Sequence, residues 1–95
     1  MNTVSETNKP PFDWNDALRR HAHDSESAVR RRAWRHGYRV CKTRSPDHLY
    51  GPLVLFNDSN AAVCWNLDNW AEAAAALERE IREEQDAIAA LEARN

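Results

Sequence analysis

The spacing of apolar residues changes twice along this 95-residue chain, and the changes divide it into helix, sheet and helix. Trp14, Leu18, Ala22, Ser25, Val29, Ala33 and His36 recur at intervals of three and four, so at about 100° per residue they share one helical stripe. Asp13 is placed to cap its start, and Asp16 adds a charge that the helix dipole favours. The stripe admits one helix running to Gly37. The polar run His23-Asp24-Ser25-Glu26-Ser27 is rich in capping residues, however, so a break near Asp24, with Asp24 or Ser25 opening a second helix, is the preferred reading. Gly37 after Arg35-His36 is a stop, because glycine takes the left-handed conformation cheaply and cations suit a last turn.

The period then shortens. Tyr38 to Arg44 is β-prone and partly alternating, and Ser45-Pro46-Asp47 supplies turn chemistry. Leu53-Val54-Leu55-Phe56 is apolar on both faces, as expected of a central strand covered by helix, with Pro52 at its entrance. Asn57 to Asn60 reads as a tight turn and Ala61 to Trp65 as the returning strand. Together these segments predict a three-stranded antiparallel meander. Asn66 is the expected N-cap of the final helix, with Trp65 and Trp70 as a hydrophobic staple. Leu67, Trp70, Ala74, Leu77, Ile81, Glu84, Ile88 and Leu91 then form a heptad seam with one polar break. Beyond Ile81 the helix outruns the short strands. Leu77, Ile81, Ile88 and Leu91 therefore call for a partner, either the N-terminal helix of the same chain or a second copy in a coiled-coil dimer. The predicted fold is α+β, in the order α-β-β-β-α: a tail over 1–12, a core domain over 13–80 and a distal helix over 81–95.

Composition adds two constraints. A chain of this size supports one modest core, which favours a binding module over an enzyme with a deep cleft. The nearly balanced charge also hides a segregation. Between Arg19 and Arg44 stand nine arginines and lysines against Asp24 and Glu26, an excess of seven positive charges, whereas Asn66 to Asn95 carries eight carboxylates against three arginines. Such asymmetry points one half towards a polyanion or an acidic partner. No run of 18 apolar residues and no signal-peptide pattern is present, so a soluble, cytoplasmic protein with no membrane partner is expected. Cys41 and Cys64 are then expected to be reduced and to serve as small apolar strand residues.

The candidate chemistry lies in the basic half. Arg30, Arg31, Trp34 and Arg35 fall on an arc of about 140° opposite Val29 and Ala33. Guanidinium groups around an indole suit anions that bear π-faces, since arginine binds phosphate bidentately and the ring stacks on a base. Arg39, Lys42 and Arg44 extend the strip along the next strand. The competing expectation is that Trp34 is core and the arginines are a solvated face neutralised by the acidic tail. His21 and His23 lie two apart, on different helix faces, and make no helical metal pair; with His36 or Cys41 a site would need tertiary proximity. Asp47-His48 near Cys41 is the nearest approach to a nucleophilic arrangement and lacks a strained turn about the cysteine. With only Gly37 and Gly51 there is no glycine-rich phosphate loop, and no cofactor or metal is expected.

The segments RRRAWRHGYRVCKTR, YGPLVLFNDSNAAV and LDNWAEAAAAL resemble those of short uncharacterised bacterial and phage-associated proteins. The shared pattern is an Arg-rich helix ending in Gly-Tyr-Arg, a Lys-x-Arg strand, a Tyr-Gly strand closing in Asp-x-x-Asn, and a helix opening with Leu-Asp. The likeness covers about half the chain. It implies the same α-β-β-β-α order and a mobile-element setting, and it assigns no functional residue. The favoured expectation is a non-enzymatic nucleic-acid-binding accessory or regulatory protein that binds DNA or RNA. The alternative is a protein-binding effector, of the kind that inhibits a host nucleoprotein machine, whose Glu78, Glu80, Glu83 and Glu84 mimic phosphates.

Overall fold

The computed structural model describes residues 11–43 and 49–94. The expected N-terminal tail up to residue 10, the turn Ser45-Pro46-Asp47 and His48 lie outside them. Two short helices come first, α1 (Trp14–Arg20) and α2 (Glu26–Arg35). A three-stranded sheet follows, β1 (Arg39–Lys42), β2 (Leu53–Phe56) and β3 (Ala62–Leu67), and then the long α3 (Trp70–Arg94). The strands pair antiparallel in the order β1-β2-β3, so the meander and the α+β class are both present. No helix of the described residues is long and apolar enough to cross a membrane.

The local signals explain most of these boundaries. Asp13 caps α1 by accepting from the Asp16 amide, and Ser25 caps α2 by accepting from the Ala28 amide, both at 3.1 Å. The first helical stretch is therefore broken: α1 closes at His21, the chain turns through His23, and Ser25 starts again. Ala22 and Ser25, which the continuous stripe would bury, stand exposed. At the far end of α2, Gly37 (φ +81°) donates to the Trp34 carbonyl and Tyr38 donates to the Ala33 carbonyl at 2.8 Å. These are the two bonds of a Schellman stop. Because Tyr38 spends its amide there, β1 begins one residue later than the alternation suggests.

The start of α3 departs from expectation. Asn66 does not cap it. Asn66 lies in β3 with φ +62°, and its amide donates to the Tyr50 carbonyl. Leu67 still pairs with Leu53, so the strand runs two residues past Trp65 before the chain turns. The cap is Asn69, whose side chain accepts from the Glu72 amide at 2.9 Å while the Glu72 carboxylate accepts from the Asp68 amide at 2.8 Å. The spacing of Asn69 and Glu72 is a capping-box pattern that sequence inspection could have picked out. The expected staple is consequently absent: Trp70 packs on the core and Trp65 is turned away beside Tyr50.

The helices cover one face of the sheet. Val29 and Ala33 of α2, Val40, Leu53, Leu55 and Leu67 of the strands, and Ala73, Ala74, Ala76 and Leu77 of α3 form the core. Five consecutive buried residues, Ala73 to Leu77, let α1, α2 and the sheet all approach α3, since alanine keeps neighbouring backbones close. Leu77 is thus wholly interior, covered by elements of its own chain, so of its two expected partners a second copy has no access to it. Ile81 is half-buried, and of the apolar positions in the expected seam Ile88 and Leu91 are the ones that project freely, 50% and 60% exposed.

Charges tie the helices together on their outer side. Arg20 of α1 meets Glu78 of α3 with two hydrogen bonds of 2.8 and 2.9 Å, and the His21 ring lies 2.6 Å from Asp24 and 2.7 Å from Glu78. The Arg20 hydrogen bonds, followed by the His21 contact, hold the Glu78 carboxyl well below the ordinary range, at about 2 against 4.5. A depressed carboxyl stabilises the fold fully above pH 4.5 and loses that contribution as pH falls towards 2. Glu78→Gln is expected to lower stability at pH 7 by about 1 kcal/mol, a value kept small because half of Arg20 is in solvent. In chemical denaturation at a series of pH values, the gap between parent and variant should close below pH 4.5.

Candidate nucleic-acid interface

The Schellman turn carries the chain from the outer face of α2 directly onto β1, and this sets the positions of the basic side chains. Val29 and Ala33 point inward, so the opposite arc of α2 faces solvent, and Trp34 is 78% exposed. The expectation that Trp34 is a core residue fails. The aromatic share of the core is supplied instead by Tyr38, Trp14 and Trp70. The turn before Trp34 on the helix carries Arg30 and Arg31, and Arg35 follows it. Neither Arg31 nor Arg35 has an ion-pair partner among the described residues, whereas Glu78 of the acidic tail pairs with Arg20 and His21.

The remaining cations of the predicted strip divide. Arg30 is committed inward, donating to the Val40 carbonyl at 2.9 Å and to Glu26 at 3.0 Å, with its guanidinium 5.1 Å from the centre of the Trp70 ring. It is a brace between α2, β1 and α3. Lys42 shares Glu26 at 3.2 Å. Hydrogen bonds from Arg30 first, and from Lys42 next, draw the Glu26 carboxyl below its usual range, so that one carboxylate offsets part of two cations. Arg39 has no carboxylate partner among the described residues: it donates to the neutral Asn60 amide oxygen, 2.6 Å away, and its guanidinium lies 5.1 Å from the centre of the Phe56 ring. Arg44 lies outside the described residues.

Arg39 also joins two surface depressions. One, of about 460 Å³, lies between α2, the start of β1 and the β2–β3 turn, and is lined by Trp34, Tyr38, Arg39, Asn57, Asp58 and Asn60. The other, of about 510 Å³, is on the sheet face away from the helices, lined by Arg39, Cys41, Lys42, Tyr50, Val54 and Phe56. Trp65 follows the inward Cys64 on β3, so alternation turns it to this same open face, where its ring centre is 5.9 Å from that of Tyr50. Trp65 is 52% exposed. Inspection of the sequence missed this aromatic face, although Tyr50, Phe56 and Trp65 are its largest apolar residues near the strands. Two register shifts between β2 and β3 decide which of them face outward, and no spacing rule anticipates those.

The other candidate groups are engaged or stay apart. Burial pushes the Cys64 thiol up, and Arg79 lies 3.2 Å from its sulfur, so the sulfur stays protonated and hydrogen-bonded at neutral pH. His48 and Asp47 lie outside the described residues. Among the described residues, no group of three histidine, cysteine or carboxylate side chains is arranged to hold a metal ion. The chain matches no protein-family model, no curated protein and no solved structure at a significant level.

Proposed function

We propose that this chain is a small, non-enzymatic nucleic-acid-binding protein with an accessory or regulatory role, in keeping with the mobile-element setting its sequence resemblance suggests. The observation that supports the reading is Trp34, 78% exposed on a helix face where Arg31 and Arg35 meet no carboxylate among the described residues. Uncancelled guanidinium groups attract phosphates, and their counterions are released on binding. Arg31, Arg35 and Arg39 are the principal phosphate contacts, Lys42 a weaker one because of Glu26, and Arg30 supports the surface from behind. Arg44 continues the strip in the sequence. The reading with the tail helix as phosphate mimic is less well supported, since Glu78 is already bound within the chain. Helix-to-helix pairing of two copies is carried in this reading by Ile88 and Leu91.

Fluorescence anisotropy with labelled DNA and RNA at two salt concentrations tests it. Arg31→Glu/Arg35→Glu should weaken binding at least about tenfold and flatten the dependence of log K on log salt by about two contacts' worth. Both residues are exposed, so the variant should fold as the parent does. Parent-like binding by the double variant, or no binding by the parent at low salt, would reject the proposal.

A further inference from the structure

We infer that the open face of the sheet, with Trp34 at its margin, is a stacking platform for single-stranded nucleic acid, and that the chain prefers single strands to duplex. This rests on the nucleic-acid reading above and names the form of the ligand. Planar groups follow one another across the surface: the Trp34 indole, the Arg39 guanidinium that shares its depression, the Phe56 ring 5.1 Å from that guanidinium, and the Tyr50 and Trp65 rings 5.9 Å apart. Duplex DNA hides its base faces in the stack and offers a protein mainly phosphates and groove edges. A single strand exposes its base faces, and aromatic side chains bind them with little regard to sequence.

Charge fits the same occupant. Arg39 is the cation that the strand register places on this face, opposite Phe56, whereas Lys42 pairs with Leu53 of the core face and turns its ammonium to Glu26; among the described residues no carboxylate lines the depression. Asp58 lines the depression beside Trp34. It sets a repulsive edge there, so the backbone of a bound strand should run on the Arg31, Arg35 and Arg39 side. The helices cover the opposite face of the sheet, and on this face Trp65 is 52% and Tyr50 38% exposed, with Phe56 half-buried beside them.

The test compares a labelled 12-nucleotide oligo-dT, an oligo-U of the same length and a 12-base-pair duplex at one salt concentration. The parent should bind the single strands at least about tenfold more tightly than the duplex, and the oligo-dT and oligo-U arms show whether the sugar matters. Trp65→Ala and Trp34→Ala should each weaken single-strand binding about five- to hundredfold. Duplex binding should change less than twofold, and Trp65→Phe, which keeps a ring, should recover most of the loss. Because both tryptophans are exposed, loss of folding is not expected, and parent-like thermal midpoints confirm it for each variant. Equal affinity for duplex and single strand, or ring variants that bind oligo-dT as the parent does, would overturn the inference and leave the basic-surface reading standing. Absence of binding to all three probes would overturn both.

Discussion

Substituting alanine for Gly51 is expected to lower the unfolding free energy by about 3 kcal/mol, combining the strain of a left-handed non-glycine residue with a steric clash. Gly51 has φ +76°, and a β-carbon there would lie 2.6 Å from the Asn66 amide oxygen and 2.7 Å from the Asn66 α-carbon. The second contact is with backbone, which cannot swing aside. Asn66 is itself held, with φ +62° and its amide bonded to the Tyr50 carbonyl, so relief would have to come from separating the strand entrance of β2 from the end of β3. Gly37→Ala is the comparison. Its φ is also positive, at +81°, but the added carbon meets only the Asp58 β-carbon at an ordinary 3.7 Å. That variant should lose about 1 kcal/mol, from backbone conformation alone. Urea denaturation of the two variants separates the contributions, and equal losses would show that Gly51 serves only its dihedral angle. The same clash bears on the proposed platform, because Gly51 directly follows Tyr50 and Asn66 directly follows Trp65, the two rings that lie 5.9 Å apart.

Leu77→Ala should cost a similar amount, about 3 kcal/mol, from lost burial plus the cavity left behind. Leu77 is fully buried where α3 crosses the sheet and the other helices, and its neighbours Ala73, Ala74 and Ala76 have no side-chain length with which to fill the space. Against the 5–15 kcal/mol typical of folded domains, a loss of about 3 is a large fraction of the total. Leu91→Ala, fourteen residues along the same helix and 60% exposed, should change stability by less than about 0.5 kcal/mol. The contrast reads the division of α3 directly: its first half is core and its distal half is surface. Equal midpoints for the two variants would mean that Leu77 is less tightly packed than its burial implies.

Asp13 and Gly37 anticipated the start of α1 and the end of α2, and Ser25 was one of the two residues offered for the restart, because each signal acts within one turn of its own position. The strand order was equally legible. Leu53 to Phe56 is apolar on both faces, and a short turn on one side of it leaves an antiparallel neighbour little choice. The reading went wrong at Asn66, where two asparagines three residues apart could each cap the same helix. The choice between them was made by the pairing of Leu67 with Leu53, which kept the chain in the sheet. For the candidate surface, the helical arc placed Trp34, Arg31 and Arg35 together on solvent. It could not show that Arg30 on the same arc would be drawn inward to the Val40 carbonyl and the Trp70 ring.

By itself, then, the sequence determined the order of helix, meander and helix, the α+β class and the basic character of α2, and it favoured the helix break, since periodicity, caps and local charge are properties of neighbouring residues. Tertiary structure alone decided which aromatic rings share the open sheet face, which carboxylate neutralises which cation, and where α3 stops being core. Those outcomes depend on strand register and on helix crossings between segments tens of residues apart, where a one-residue shift turns a side chain from the interior to solvent.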